Sequence, residues 1–205
     1  MAGGRYIVFE GIEGSGKSTQ ARIFYNSIRK KSNAILTEEP WESDSIGKLI
    51  RKELKEKREN RVSNATLQLL YMANRKNHME RVVEPGLRKG NTVVQDRYWM
   101  STAVYGSAGS VEKKLYMEYF MKMSEIFPRP DVVFFIGVDP NEAYRRVTSR
   151  NKAAERFDRL DMLRKLEIGY RKLETSYEGK WVNIDGNRDV KMVSAEIMRK
   201  YRSML

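Results

Sequence analysis

Gly11-Ile-Glu-Gly-Ser-Gly-Lys-Ser18 follows the apolar run Tyr6-Ile-Val-Phe9 and opens the stretch Ser18-Thr-Gln-Ala-Arg-Ile-Phe-Tyr25. The pattern G-x-x-x-x-G-K-[ST], with a strand behind it and a helix in front, is a complete phosphate-binding loop. Its glycines let the backbone curl until successive N–H groups converge on phosphate oxygens. Lys17 is placed to reach β- and γ-phosphates, Ser18 to ligate Mg²⁺, and the following helix adds the positive end of its dipole. A Gly-rich turn that binds nothing is the competing reading. The fixed identities and the correct flanks weigh against it, so the chain is read as binding a nucleoside triphosphate.

Working outward, four more short apolar runs have the composition of strands: Ala34–Thr37, Thr92–Gln95, Asp131–Val138 and Trp181–Ile184. They are mostly continuous rather than alternating, as expected of parallel strands buried on both faces. Helical patterns fill the intervals at about 18–31, 44–59, 63–84, 110–127, 140–149, 158–178 and 189–203. Asp139-Pro140 reads as an N-cap with Pro at the first helical position, and Glu84-Pro-Gly86 as a helix end. The alternation predicts a three-layer α/β sandwich of the P-loop NTPase type. It has a five-stranded parallel sheet, helices on both faces and ligands at the carboxyl ends of the strands. No repeat or linker divides residues 1–205, so one domain is expected, with a small lid at about 149–159.

Composition excludes classes more than it chooses one. With 40% hydrophobic residues there is material for a core, while no run approaches the ~18 apolar residues a membrane span needs. The chain enters its first strand at once, leaving no room for a signal peptide, and a cytoplasmic location is expected. The absence of Cys removes disulfides and thiolate chemistry. The 39 Lys and Arg against 27 Asp and Glu give a formal charge of +12, but the charges are dispersed. Arg51-Lys-Glu-Leu-Lys-Glu-Lys-Arg-Glu59 reads as a solvated helix face with i,i+4 pairs, and neither a nucleic-acid nor a membrane partner is expected.

A phosphate loop alone does not name the second substrate. Asp96-Arg97 ends a strand parallel to the first, which places Asp96 near the metal and Arg97 near transferring phosphate; a surface ion pair is the alternative. Ser149-Arg-Asn-Lys-Ala-Ala-Glu-Arg-Phe-Asp-Arg159 is a basic segment between two helices. It is fit to close over phosphates, unless it is only a solvated connection.

These motifs together resemble the thymidylate kinase family nearly end to end. The resemblance rests on Phe9–Gln20, Glu39-Pro40, Ile46–Arg51, Leu69-Leu-Tyr-Met-Ala-Asn-Arg75, Asp96-Arg-Tyr98 with Ser101 and Tyr105, and the segment from Arg150 to Asp158. It implies transfer of phosphate from ATP to dTMP with Mg²⁺, in a homodimer. The ATP set it implies is Gly11, Ile12, Glu13, Gly14, Ser15, Gly16, Lys17, Ser18, Thr19 and Arg146. The dTMP set is Glu13 on the sugar 3′-hydroxyl, Pro40 beside the 5-methyl group, Tyr71 stacked on thymine and Arg75 on a thymine carbonyl. Arg51 and Arg97 join it on the phosphate, Tyr105 packs against the deoxyribose, and Ser101 completes the set. Ser18 and Asp96 are the implied metal ligands, and Lys17, Asp96, Arg97, Arg150 and Arg156 the implied catalytic groups.

Three positions depart from the family pattern. Gly14 stands where one branch carries Arg, which transfers the missing charge to the lid cations Arg150, Lys152 and Arg156. Gly106-Ser107 replaces a residue pair that often begins with Gln, and Glu38 replaces an Arg. Another small-molecule kinase and a nucleic-acid-stimulated ATPase remain as alternatives. His78, the single histidine, is expected at the surface, the 11 Met as core filler, and Trp41 either beside the acceptor pocket or over a helix.

Overall fold

The computed structural model describes residues 4–30, 32–56, 58–108, 113–150 and 155–204. Five parallel strands form one sheet: β1 (Tyr6–Glu10), β2 (Ala34–Glu38), β3 (Thr92–Asp96), β4 (Val132–Gly137) and β5 (Trp181–Asp185). Their spatial order is β2-β3-β1-β4-β5. The order matters for function, because it sets the carboxyl ends of β2, β3 and β1 side by side. Phe9 and Glu38 both register with Asp96, so the chain leaves these three strands at one level.

The helices are α1 (Lys17–Ile28), α2 (Ser45–Lys55), α3 (Asn64–His78), α4 (Glu84–Arg88), α5 (Trp99–Ala108), α6 (Lys113–Met123), α7 (Pro140–Thr148), α8 (Leu160–Ser176) and α9 (Val190–Arg202). Side chains alternate across a strand, so each strand feeds two cores. Ile7 and Phe9 face one side, where Phe24 of α1 and Ile197 and Tyr201 of α9 cover them. Tyr6 and Val8 face the other, packed with Leu67, Val104, Phe120 and Leu166 from the remaining helices. This is the three-layer arrangement the continuous apolar strands predict. Among the described residues, no helix is long and apolar enough to cross a membrane.

Several local expectations need correction. Pro85 does not end the long helix. It sits in the first turn of α4, after a five-residue π-helical segment, Met79–Val83, and the chain stays helical to Arg88. Proline lacks the N–H that an interior helical position donates, and the π-helical turn just ahead of it is where the run accommodates that loss. The segment after Arg97 folds as α5, a helix not expected from sequence. The stretch 51–59 is a solvated helix face only in part: Lys52, Lys55 and Glu59 are exposed, but α2 ends at Lys55, Glu53 is buried and accepts from Val62 N, and Arg51 pairs with Glu42 and Glu155.

Candidate active site

The loop from β1 into α1 owes its shape to glycine. Gly14 and Gly16 have φ of 78° and 91°, in the left-handed region, and a β-carbon on Gly14 would lie 2.4 Å from Ala143 O. A side chain at 14 is excluded by strain and by contact alike. Lys17 begins α1, one residue earlier than its helical pattern suggests, and its Nζ donates to Ile12 O at 3.2 Å. The loop is buttressed from below. Arg146 donates to Gly14 O and Gly186 O, so it supports the loop and does not line the cleft above it.

That cleft, about 600 Å³, runs from the loop to the far end of α3. It collects most of the residues singled out from sequence. Glu13, Lys17, Ser18 and Thr19 stand at one end; Pro40, Tyr71 and Arg75 line the other, and Asp96, Arg97, Ser101 and Tyr105 lie on its wall with Arg51. Adjacent carboxyl ends of β2, β3 and β1 bring these distant segments together.

Arg97 adopts φ 68°, unusual for a residue with a side chain, and this turns its guanidinium into the cleft. Its Nη1 donates to Ser101 Oγ at 3.0 Å and Gly11 O at 3.3 Å, while Nη2 meets Glu13 Oε1 at 2.5 Å. The other Glu13 oxygen accepts from the Tyr105 hydroxyl. Burial pushes the Glu13 carboxyl up, but Arg97, then Lys17 and the Tyr105 hydroxyl, outweigh it and hold the pKa at about 2. Burial, then the neighbouring Arg97, lowers the Lys17 ammonium below its usual range as well, against Glu13, Asp96 and Glu10.

Buried polar groups behind the cleft fix these side chains. Glu39 accepts Arg75 Nε at 2.8 Å on one oxygen, which also pairs with Nη2 at 2.6 Å, while Nη2 donates to Thr102 Oγ1 at 3.0 Å; the other Glu39 oxygen accepts Gln95 Nε2 at 2.9 Å. The same Gln95 amide donates to Arg97 O, which clamps the left-handed turn. His78 belongs to this network. It is fully buried, bonded to Thr37 Oγ1 at 2.6 Å and stacked on Trp41, so the expected surface position is wrong. Trp41 covers α3 through paired bonds to Asn74 and does not line the cleft.

Glu10, at the end of β1, collects four donors: Tyr98 N, Ser101 N, Ser101 Oγ and Tyr170 OH. It therefore ties α5 and α8 to the base of the phosphate loop. Burial raises its pKa, partly offset by Arg97.

Asp96 Oδ1 is buried and unpartnered among the described residues. Its carboxylate shares the cleft wall with Ser18, and no group of three or more metal-binding side chains occurs among the described residues. One carboxylate and one hydroxyl, with phosphate oxygens and water completing the shell, is the donor set Mg²⁺ favours.

The expected lid cations separate. Arg150 lines the cleft, whereas Arg156 donates to Val62 O and stands outside it; Lys152 falls outside the described residues. Arg159 also lines the cleft, a residue that sequence reasoning did not single out.

Comparison with known proteins agrees with this geometry. Residues 9–197 match the family model described as thymidylate kinase. The chain belongs to the thymidylate kinase family. It is 35% identical to the thymidylate kinase of Dinoroseobacter shibae over 95% of each chain. It is 32% identical to that of Ruegeria pomeroyi, covering 95% of this chain and 92% of the relative, and 34% identical to that of Plasmodium falciparum, covering 96% and 89%. A thymidylate kinase must hold two phosphorylated nucleotides end to end, and a cleft with cations at one end and an aromatic pocket at the other has the form for it.

Proposed function

We propose that this chain transfers the γ-phosphoryl group of ATP to dTMP, giving dTDP, in the single cleft described above. The observation that carries the reading is the continuity of that cleft: phosphate-loop Lys17 and Ser18 share it with Tyr71, Arg75 and Pro40, and Arg97 stands between. Tyr71 supplies a face for the pyrimidine, Arg75 a donor for a ring carbonyl, and Pro40 a small apolar wall for the 5-methyl group. Arg51 and Arg97 hold the acceptor phosphate, and Glu13 receives the sugar 3′-hydroxyl. Tyr105, with Ser101 behind Arg97, closes the sugar side and leaves little room for a 2′-hydroxyl.

The attacking oxygen of dTMP is already anionic, so no strong base is required. Catalysis is alignment plus neutralisation of charge on the transferred group. Lys17 and Arg97 approach it from the loop and the β3 end, and Arg150 with Arg159 from the lid. The lid thus supplies the cation that Gly14 cannot. Asp96 and Ser18 suit Mg²⁺, which when bound neutralises phosphate charge and helps orient ATP. Gly11–Thr19 surround the ATP phosphates, and Arg146 serves by holding the loop.

We further assign the protein to the cytoplasm and to a homodimer. Leu115 and Tyr119 lie exposed one turn apart on α6, with exposed Ile126 beyond, an apolar face suited to a second copy. Sizing chromatography tests the dimer.

Product identification after mixing the protein with ATP, Mg²⁺ and equal concentrations of dTMP, dUMP, dCMP and AMP tests the reaction. The expected main product is dTDP. A main product from another acceptor, or ATP hydrolysis without a diphosphate product, would overturn the reading.

A further inference from the structure

Gln68 is 1% exposed, yet it is part of the wall of the cleft. It stands on α3 seven residues before Arg75 and three before Tyr71, on the face that helical spacing gives those two side chains. Its partners are few for a buried amide. Nε2 donates one long bond, 3.5 Å, to Asn64 Oδ1, and Oε1 accepts none among the described residues. Buried amides elsewhere in the site are better served: Gln95 makes three bonds, to Glu39, Arg97 O and the Tyr6 hydroxyl. An unpaired acceptor on so confined a side chain, at the edge of a ligand cleft, is suited to a partner from the ligand.

The polarity of that atom is fixed from behind. Asn64 Nδ2 donates to Tyr105 O at 2.8 Å and to Gly106 O at 3.3 Å. A backbone carbonyl can only accept, so Asn64 must turn its NH₂ to α5 and its oxygen to Gln68. Gln68 must in turn present NH₂ to Asn64, which leaves Oε1, an acceptor, for the cleft. The side chain is also confined laterally, since a β-carbon on Gly106 would lie 3.4 Å from Gln68 Cγ.

We propose that Gln68 is a specificity-determining residue whose Oε1 accepts the N3–H of the acceptor's pyrimidine ring. The inference rests on the dTMP reading of the cleft. Thymine and uracil carry a hydrogen at N3; cytosine carries a lone pair there, which would face the Gln68 oxygen. Arg75, a donor only, favours the neighbouring ring carbonyl over cytosine's amino group. Gln68 and Arg75 together read two adjacent atoms of one base edge, with opposite hydrogen-bonding sense.

The test compares wild type with Gln68→Met, which keeps length and removes the amide, on dTMP and on 5-methyl-dCMP, which differs only at that edge. Gln68→Met is expected to raise KM for dTMP about tenfold to a hundredfold. KM for ATP and kcat stay within about twofold of wild type, and the preference for dTMP over 5-methyl-dCMP falls about tenfold. A KM for dTMP within twofold of wild type with the preference unchanged overturns the proposal while leaving the reaction assignment intact. Wild type that makes no dTDP overturns both. Should Gln68→Met fail to fold, Gln68→Asn, which withdraws the amide by one methylene, is read by the same criteria.

Discussion

Arg75 and Glu39 form a buried ion pair, each side chain 1% exposed, with two guanidinium nitrogens on one carboxylate oxygen at 2.8 and 2.6 Å. Gln95 bonds the second oxygen and also Arg97 O, so one carboxylate holds Arg75 and, through Gln95, the turn that aims Arg97. Removing one partner of such a pair strands a charge. Glu39→Ala is expected to cost about 3–5 kcal/mol of stability in urea unfolding. The double variant Glu39→Leu/Arg75→Leu is expected to recover much of that loss while remaining poor on dTMP. A Glu39→Ala cost under about 1 kcal/mol would show that the pair is relaxed.

Lys17→Ala is expected to lower kcat by at least a hundredfold with little change in melting temperature, since among the described residues the Lys17 ammonium donates a single hydrogen bond, to Ile12 O. A coupled ATP/dTMP assay checks it. Activity within tenfold of wild type would remove Lys17 from the chemistry.

The lid assignment divides two arginines. Arg150→Ala is expected to reduce kcat about tenfold or more, because its side chain faces the cleft. Arg156→Ala, whose guanidinium holds Val62 O, is expected to act on stability and lid position, with a smaller effect on kcat. Equal losses of kcat in both would merge the roles that the structure separates.

Glu13 gives a pH signature. Its folded pKa, about 2, lies below the ordinary 4.5, so the stabilisation it contributes is complete above about pH 4.5 and is lost as pH falls toward 2. Glu13→Gln should therefore unfold more easily than wild type at pH 6, and the difference should shrink across that window. Urea midpoints for both proteins between pH 6 and pH 2.5 measure it; a constant difference would contradict the ion pair with Arg97.

Much of this was legible because the chemistry is local in sequence. The phosphate loop needs eight consecutive residues, and strands buried on both faces announce themselves as unbroken apolar runs. The misses share a cause. Helix α5 is buried at Met100 and from Thr102 to Ser107, so it has no polar face to set a helical period. His78 found its partners 41 and 39 residues away, at Thr37 and Glu39, where no spacing rule reaches. Gln68 was hidden for the same reason. Its oxygen is turned toward the cleft by carbonyls of α5, a helix the sequence pattern does not announce.

The direct test of a shared cleft is a structure of the protein with dTMP and a non-hydrolysable ATP analogue. The thymine ring is predicted against Tyr71 with its edge at Arg75, and the acceptor phosphate at Arg97, pointing to the analogue's terminal phosphate over Lys17. Thymine bound elsewhere, or two phosphates facing apart, would contradict the account.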